Sequence, residues 1–317
     1  MLPTLTDIRE ARSRLAGIAN RTPLVRLDLP DAPAEIWLKL ENLQPIGSFK
    51  IRGAANAMAA ISPDRLARGV LTASAGNMAQ GAAWCARARA IPCTVIAPES
   101  APATKLRAIE RLGGKVILAP FDRWWRAFDE RAYPGVDGTF LHAFDDPLVM
   151  AGNGTIGLEI LEDLPDVDAI VVPWGGGGLF SGIAAAVREV SPRTHFFTAE
   201  CEAGAPLAAS LAAGVPTKAP FRRSFVDGIG GPSVFPAMFE RARALIDGAL
   251  VASVAEVAAA VRVIAERGRV VAEGAGACSL ACALAGGAGN GRVVCVISGG
   301  NIDEGALRAA LAGQQPS

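Results

Sequence analysis

Four short segments combine residue types suited to nucleophilic and anion-binding chemistry. In Gly47-Ser48-Phe49-Lys50-Ile51-Arg52-Gly53 a lysine follows a Pro45/Gly47 turn and opens a run of small residues that reads as a helix. A helix start and an apolar setting both disfavour the ammonium, and a neutral amine can add to a carbonyl. On these residues alone a solvated surface lysine is the simpler reading. The second segment, Thr72-Ala73-Ser74-Ala75-Gly76-Asn77-Met78, lies between a strand pattern and a helix pattern. Successive backbone amides over Ser74, Ala75 and Gly76, at a positive helix end, would cradle a carboxylate, and Asn77 adds a side-chain donor. An ordinary capped turn explains the Ser and Asn equally well.

The third segment is Gly175-Gly176-Gly177-Gly178-Leu179. Four glycines let a backbone turn sharply and aim several amides at a phosphate with no Cβ in the way. A dinucleotide fold is the rival, since Glu200 ends the next strand pattern. The G-x-G-x-x-G register fails, however, because Phe180 or Ser181 falls at the third glycine, and no Lys-Ser/Thr pair follows to make a nucleotide-triphosphate loop. The fourth segment, Ser298-Gly299-Gly300-Asn301, puts a hydroxyl at a strand's carboxyl end, where it could reach a shared cleft or simply turn the chain.

Each segment needs a strand or helix to place it, and the sequence supplies them in alternation. Short β-branched runs at 36–40, 69–72, 93–97, 115–118, 169–172, 196–199 and 293–297 read as buried strands. Amphipathic stretches at 78–89, 104–112, 152–164 and 179–190 read as helices, and 254–265 is an Ala-rich helix former. The rhythm predicts an α/β fold of mostly parallel sheets with helices on both faces. Only 314–317 reads as a loose tail. Trp124 and Trp125 are adjacent on a helix pattern, so they cannot both face inward, and at least one is expected at a rim or an interface.

Composition narrows the function. Of 317 residues, 51% are hydrophobic and 20% charged, enough for a large core, so one large or two closely joined domains are expected. Lys plus Arg (31) balances Asp plus Glu (31), which leaves no net field to gather nucleic acid or anionic lipid. Asp7 and Arg9 interrupt the start before any signal-like apolar run, and no stretch is long enough to span a membrane, so a cytoplasmic location is expected. The six cysteines form no close pairs and read as reduced core thiols, with Cys278 and Cys282 able to share a helix face. His142 and His195, the only histidines, are too far apart in sequence to suggest a transition-metal site, and His195 reads as structural.

Taken together the four segments resemble the fold-type II pyridoxal-phosphate enzymes of the threonine ammonia-lyase and serine racemase group. The resemblance runs from Thr22-Pro23-Leu24 to Ser298-Gly299-Gly300-Asn301 and includes His142-Ala143-Phe144-Asp145-Asp146-Pro147, Gly154-Thr155-Ile156 and Glu273-Gly274-Ala275-Gly276. It implies two parallel-sheet α/β domains, tryptophan synthase β-like, with pyridoxal 5'-phosphate between them. A large domain of residues 1–67 and 147–317 would hold the cofactor, and a small one of 68–146 would close over the substrate. By resemblance Lys50 carries the cofactor as an imine and moves protons, Phe49 lies against the ring, and Asn77 holds its phenolic oxygen. Gly175 to Gly178, with Leu179, would bind the phosphate, and Ser298 would face the pyridine nitrogen. Ser74, Ala75, Gly76 and Met78 would border the substrate carboxylate.

The implied reaction is β-elimination from a small β-hydroxy amino acid such as threonine or serine, giving a 2-oxo acid and ammonia. A neutral hydroxyl opposite the ring nitrogen weakens the ring as an electron sink and favours prompt elimination. Ala75 stands where racemases carry a second serine, so no acid serves the opposite face. Met78 replaces a usual histidine, a change that points toward a bulkier or less polar substrate, such as phenylserine, hydroxyaspartate or a hydroxyectoine-derived one. Glu200 matches one ligand of the racemases' divalent cation, but Pro206 stands at a second, so no metal is assigned. β-Replacement with a thiol and a non-catalytic carrier of the cofactor stay open as alternatives. The family implies a homodimer, and the chain's end soon after Ser298 predicts no effector domain.

Overall fold

The computed structural model describes residues 1–316, and Ser317 lies outside the described residues. Among the described residues ten strands form two sheets: β1 (Leu24–Arg26), β2 (Glu35–Lys39), β3 (Val70–Ala73), β4 (Cys93–Pro98), β5 (Lys115–Ala119), β6 (Thr139–Phe140), β7 (Ala169–Pro173), β8 (His195–Cys201), β9 (Gly248–Ala252) and β10 (Arg292–Val296). The larger sheet runs β1-β2-β10-β7-β8-β9 and the smaller β5-β4-β3-β6. Every pairing is parallel except β1 with β2. All five residues of β7 are buried, as are the last four of β10, which is why both read as unbroken apolar runs: helices cover both faces.

All seven strands anticipated from the sequence are present. The three others gave little signal. β1 and β6 are only three and two residues long, and β9 is a half-exposed edge strand that starts at a glycine. The helix anticipated at 152–164 begins five residues earlier, at Pro147. There the Asp146 side chain accepts from Leu148 N, and Pro147 gives up an amide that the first turn cannot use. Of the tail expected at 314–317, Gln314 and Gln315 are exposed and without regular structure, Pro316 is buried, and Ser317 lies outside the described residues.

Trp124 and Trp125 are both half-buried on the helix Phe121–Glu130. They share an aromatic cluster: Trp125 stacks on Phe235 at 5.3 Å, and Trp124 meets Phe128 edge-on at 5.4 Å. All six cysteines are free and buried.

One buried polar network ties the first turn of the helix Lys50–Ala59 to its neighbours. Arg52 donates to both oxygens of Glu41 at 2.8 Å each and to Glu159 at 2.6 Å, while Lys39 at the end of β2 donates to Glu159 at 2.6 Å. Two cations and two anions balance there out of water. Such a set fixes geometry more than it adds stability, because desolvation offsets most of the attraction. What it fixes is the residue two positions before Arg52.

Candidate active site

Lys50 is the first residue of its helix. The turn ahead of it is tied to the turn after β10: Phe49 N donates to Ser298 O at 3.0 Å, Gly300 N donates to Gly47 O at 2.9 Å, and Ser48 bridges Gly299. Gly47 has φ of +70°, a conformation glycine adopts without strain. Ser298, buried at the carboxyl end of β10, therefore sits beside Phe49, and the Lys50 amine lies 5.0 Å from the centre of the Phe49 ring. Enclosure pushes that amine down to about 8, with Glu273 pulling the other way. The lysine as a whole is half-buried.

The amine donates to the carbonyl of Ala143 at 2.7 Å. The next residue, Phe144, is wedged against the glycine run. A Cβ on Gly176 would lie 2.2 Å from the Phe144 ring, and one on Gly178 would lie 2.6 Å from its carbonyl. Gly177, at φ +85°, would drive a Cβ to 2.3 Å from the Trp174 ring. Gly176, Gly177 and Gly178 fit only as glycine, whereas a Cβ on Gly175 would meet nothing closer than 3.4 Å, and the run ends in the helix Gly178–Val190, whose first amides have no partner within the helix. Residues 143 and 144 thus join the amine to the glycine run along one wall.

His142 shapes that wall. Its Nδ1 accepts from Phe144 N at 3.3 Å and Asp145 N at 2.8 Å, and burial holds the imidazole neutral by pushing it down to about 4. Sequence reasoning noted His142 within a motif but missed this task.

Asn77 opens the helix Asn77–Ala88. Its Nδ2 donates to Glu273 Oε1 at 2.7 Å, and its Oδ1 accepts from Asn301 at 2.8 Å. The half-buried Ser74, Ala75 and Gly76 precede it on the turn from β3, where Gly76 N donates to Ser74 Oγ at 3.2 Å. Met78 is turned away into the small-residue core and is only 2% exposed, so it bears on that turn through packing rather than by facing the cleft. Glu273 carried no individual assignment from sequence, although a glutamate just ahead of Gly-Ala-Gly at a helix start was a visible oddity.

The residues present fit pyridoxal phosphate. They supply an enclosed amine, a glycine run packed against Phe144 and Trp174 ahead of a helix start, a serine beside Phe49 and an asparagine amide held by Glu273 and Asn301. The racemases' cation finds less. Glu200 Oε1 and Oε2 accept from Leu207 N at 3.0 Å and Ala208 N at 2.7 Å, so the carboxylate caps the helix Pro206–Ala213, and burial pushes it up to about 7. Among the described residues no group of three His, Cys, Asp or Glu side chains is placed to hold a metal. His195, exposed at the start of β8, faces Asp247 at 3.4 Å.

Comparison with known proteins points the same way. Residues 15–299 match the family described as pyridoxal-phosphate dependent enzyme. An L-threonine ammonia-lyase of Thermotoga maritima is 41% identical over 95% of this chain and 76% of its own. One from Geobacter sulfurreducens is 42% identical over 96% and 76%. The structure of maize serine racemase superposes with a TM-score of 0.89 at 30% identity, covering 98% of each chain.

Proposed function

The chain belongs to the pyridoxal-phosphate dependent enzyme family, and on that premise we propose that it takes water and then ammonia from L-threonine or L-serine, leaving a 2-oxo acid. It is a pyridoxal-phosphate-dependent ammonia-lyase. No helix among the described residues is long and apolar enough to cross a membrane. The residue assignments rest above all on the continuous wall from Lys50 Nζ through Ala143 and Phe144 to Gly176 and Gly178.

When bound, the cofactor supplies an aldehyde for the substrate amine and a ring that draws electrons from the α-carbon. Lys50 removes the α-proton at Nζ, a task suited to an amine shifted close to neutrality, and Ala143 O receives the amine when it is free. The Gly175–Gly178 amides and Leu179 would hold the phosphate, Phe49 would pack the ring, Asn77 would hold the phenolic oxygen and Ser298 would face the ring nitrogen. The Ser74–Gly76 amides receive the substrate carboxylate as the unit 68–146 closes and excludes water. The β-hydroxyl departs with a proton as water, and the released enamine hydrolyses to the 2-oxo acid and ammonia. Ala75 offers no proton to the opposite face, so L-serine is not racemised. A second copy of the chain is the proposed partner, and the cytoplasm the proposed location.

The second reading is the bulkier substrate suggested by Met78 next to the Ser74–Gly76 turn; the cavity of about 500 Å³ lined by Lys105, Asp227, Glu273 and Asn301 reaches neither Lys50 nor that turn and does not bear on it. A panel of β-hydroxy amino acids with methyl, aromatic and acidic side chains, scored by 2-oxo acid release with and without sulfide, tests both readings. Threonine or serine turning over fastest supports the first, and an aromatic or acidic substrate the second. Product formed only with sulfide would overturn both. Lys50→Ala abolishes release and the yellow colour of the loaded protein.

A further inference from the structure

Asn77 is clamped from both sides. Asn301 Nδ2 donates to Asn77 Oδ1 at 2.8 Å and also to Ile46 O at 2.9 Å, so Asn301 must present its nitrogen there. On the other side Asn77 Nδ2 donates to Glu273 Oε1 at 2.7 Å. Turning the Asn77 amide over would set its oxygen against a carboxylate and its N–H against an N–H. The clamp therefore leaves one orientation, in which one Nδ2 hydrogen is engaged by Glu273 and the other remains free.

Glu273 is an unusual residue for its place. It precedes the helix Gly274–Leu284 at the position where a short oxygen-bearing side chain ordinarily accepts from the first turn, yet its side chain makes no such bond. It crosses instead to Asn77, on a helix that follows the other sheet. Room is kept for this. A Cβ on Gly299 would lie 2.4 Å from Glu273 Oε1 and 3.1 Å from Asn77 Nδ2, and Glu273 N donates to Gly299 O at 3.0 Å, so both ends of the glutamate are located by the same glycine. Burial pushes its carboxyl up to about 7, and the Asn77 bond opposes that rise, so the ionised acceptor owes part of its persistence to Asn77.

We propose that Glu273 is the positioning residue for Asn77, holding the amide so that its free Nδ2 hydrogen faces the phenolic oxygen of the cofactor. The proposal rests on the pyridoxal-phosphate reading and on Asn77 as the partner of that oxygen. Without Glu273 the amide can turn and offer its own oxygen to the phenolate, a repulsive contact. Cofactor affinity and the electronic state of the ring then change together, a pairing that lost packing alone would not produce.

Wild type, Glu273→Ala, Glu273→Gln and Asn301→Ala are compared by cofactor dissociation constant in equilibrium dialysis, by the position of the visible band, and by urea unfolding without cofactor. Glu273→Ala weakens cofactor binding about tenfold or more and moves the band to shorter wavelength. Glu273→Gln keeps an acceptor oxygen and stays within about threefold of wild type. Asn301→Ala follows the alanine variant to a smaller degree. If Glu273→Ala does not fold, Asn301→Ala decides alone. An unchanged band and constant in the deciding variant overturn the proposal, as does a glutamine variant as impaired as the alanine one. A wild type that binds no pyridoxal phosphate would instead defeat the functional reading itself.

Discussion

Lys50 shows at the scale of one residue how function and stability oppose each other. An amine whose folded value is about 8 against an ordinary 10.5 binds fewer protons folded than unfolded between those limits. The protein without cofactor therefore carries the full cost of a buried ammonium below that window and sheds it as pH rises through it. Lys50→Met is accordingly more stable than wild type near about pH 7 by up to about 3 kcal/mol, less where water reaches the amine. The gain shrinks toward zero as pH approaches 10.5, which urea unfolding of both cofactor-free proteins at the two pH values measures. A gain independent of pH would mean that packing rather than charge is responsible. The turn and small-residue helix of Lys50 alone read more simply as those of a surface lysine, and the chemical reading came from the resemblance that the four segments carry together. Its acceptor, Ala143 O, was not legible, because the two lie 93 positions apart and the main chain gives no compositional sign of what it will accept.

At the scale of elements, the strand-to-helix turns hold the site, and their residue types were readable because glycine runs have few explanations. What the sequence did not disclose was the reason each glycine is needed. Gly177 combines a left-handed backbone with Trp174 at 2.3 Å from any added Cβ, whereas Gly214, also left-handed at φ +72°, has open space around it. Gly214→Ala therefore costs about 1 kcal/mol of stability and leaves cofactor binding untouched. Gly177→Ala displaces the Trp174 ring or the loop and weakens cofactor binding by about tenfold or more, a contrast that dialysis and thermal unfolding of the pair separate. Equal effects would remove the special standing given to the glycine run.

For the whole molecule, seven strands, and with them the α/β class, followed from short apolar runs, among them the edge strand β5, where only Ala119 is buried although burial was expected throughout, whereas the edge strands β1, β6 and β9 gave little signal. The contacts between the two sheets' units were equally invisible. Lys105, on the helix Ala103–Arg111, pairs with Asp227, and Thr104 beside it donates to Asp303 at 3.4 Å. Both ties join the unit of the smaller sheet to that of the larger at the cavity beside Glu273. Exposed pairs are worth about 0–1 kcal/mol, so Lys105→Met raises KM a few-fold at most, with kcat nearly unchanged and the difference fading in high salt. A fall in kcat with KM constant would give Lys105 a part in the chemistry instead. The adjoining pair Ala143 and Phe144 has a different outcome. Because one peptide link separates the carbonyl that receives the amine from the ring that braces the glycine run, a synthetic coenzyme with one extra methylene in its phosphate arm is expected to bind more weakly than pyridoxal phosphate, which equilibrium dialysis of the two measures.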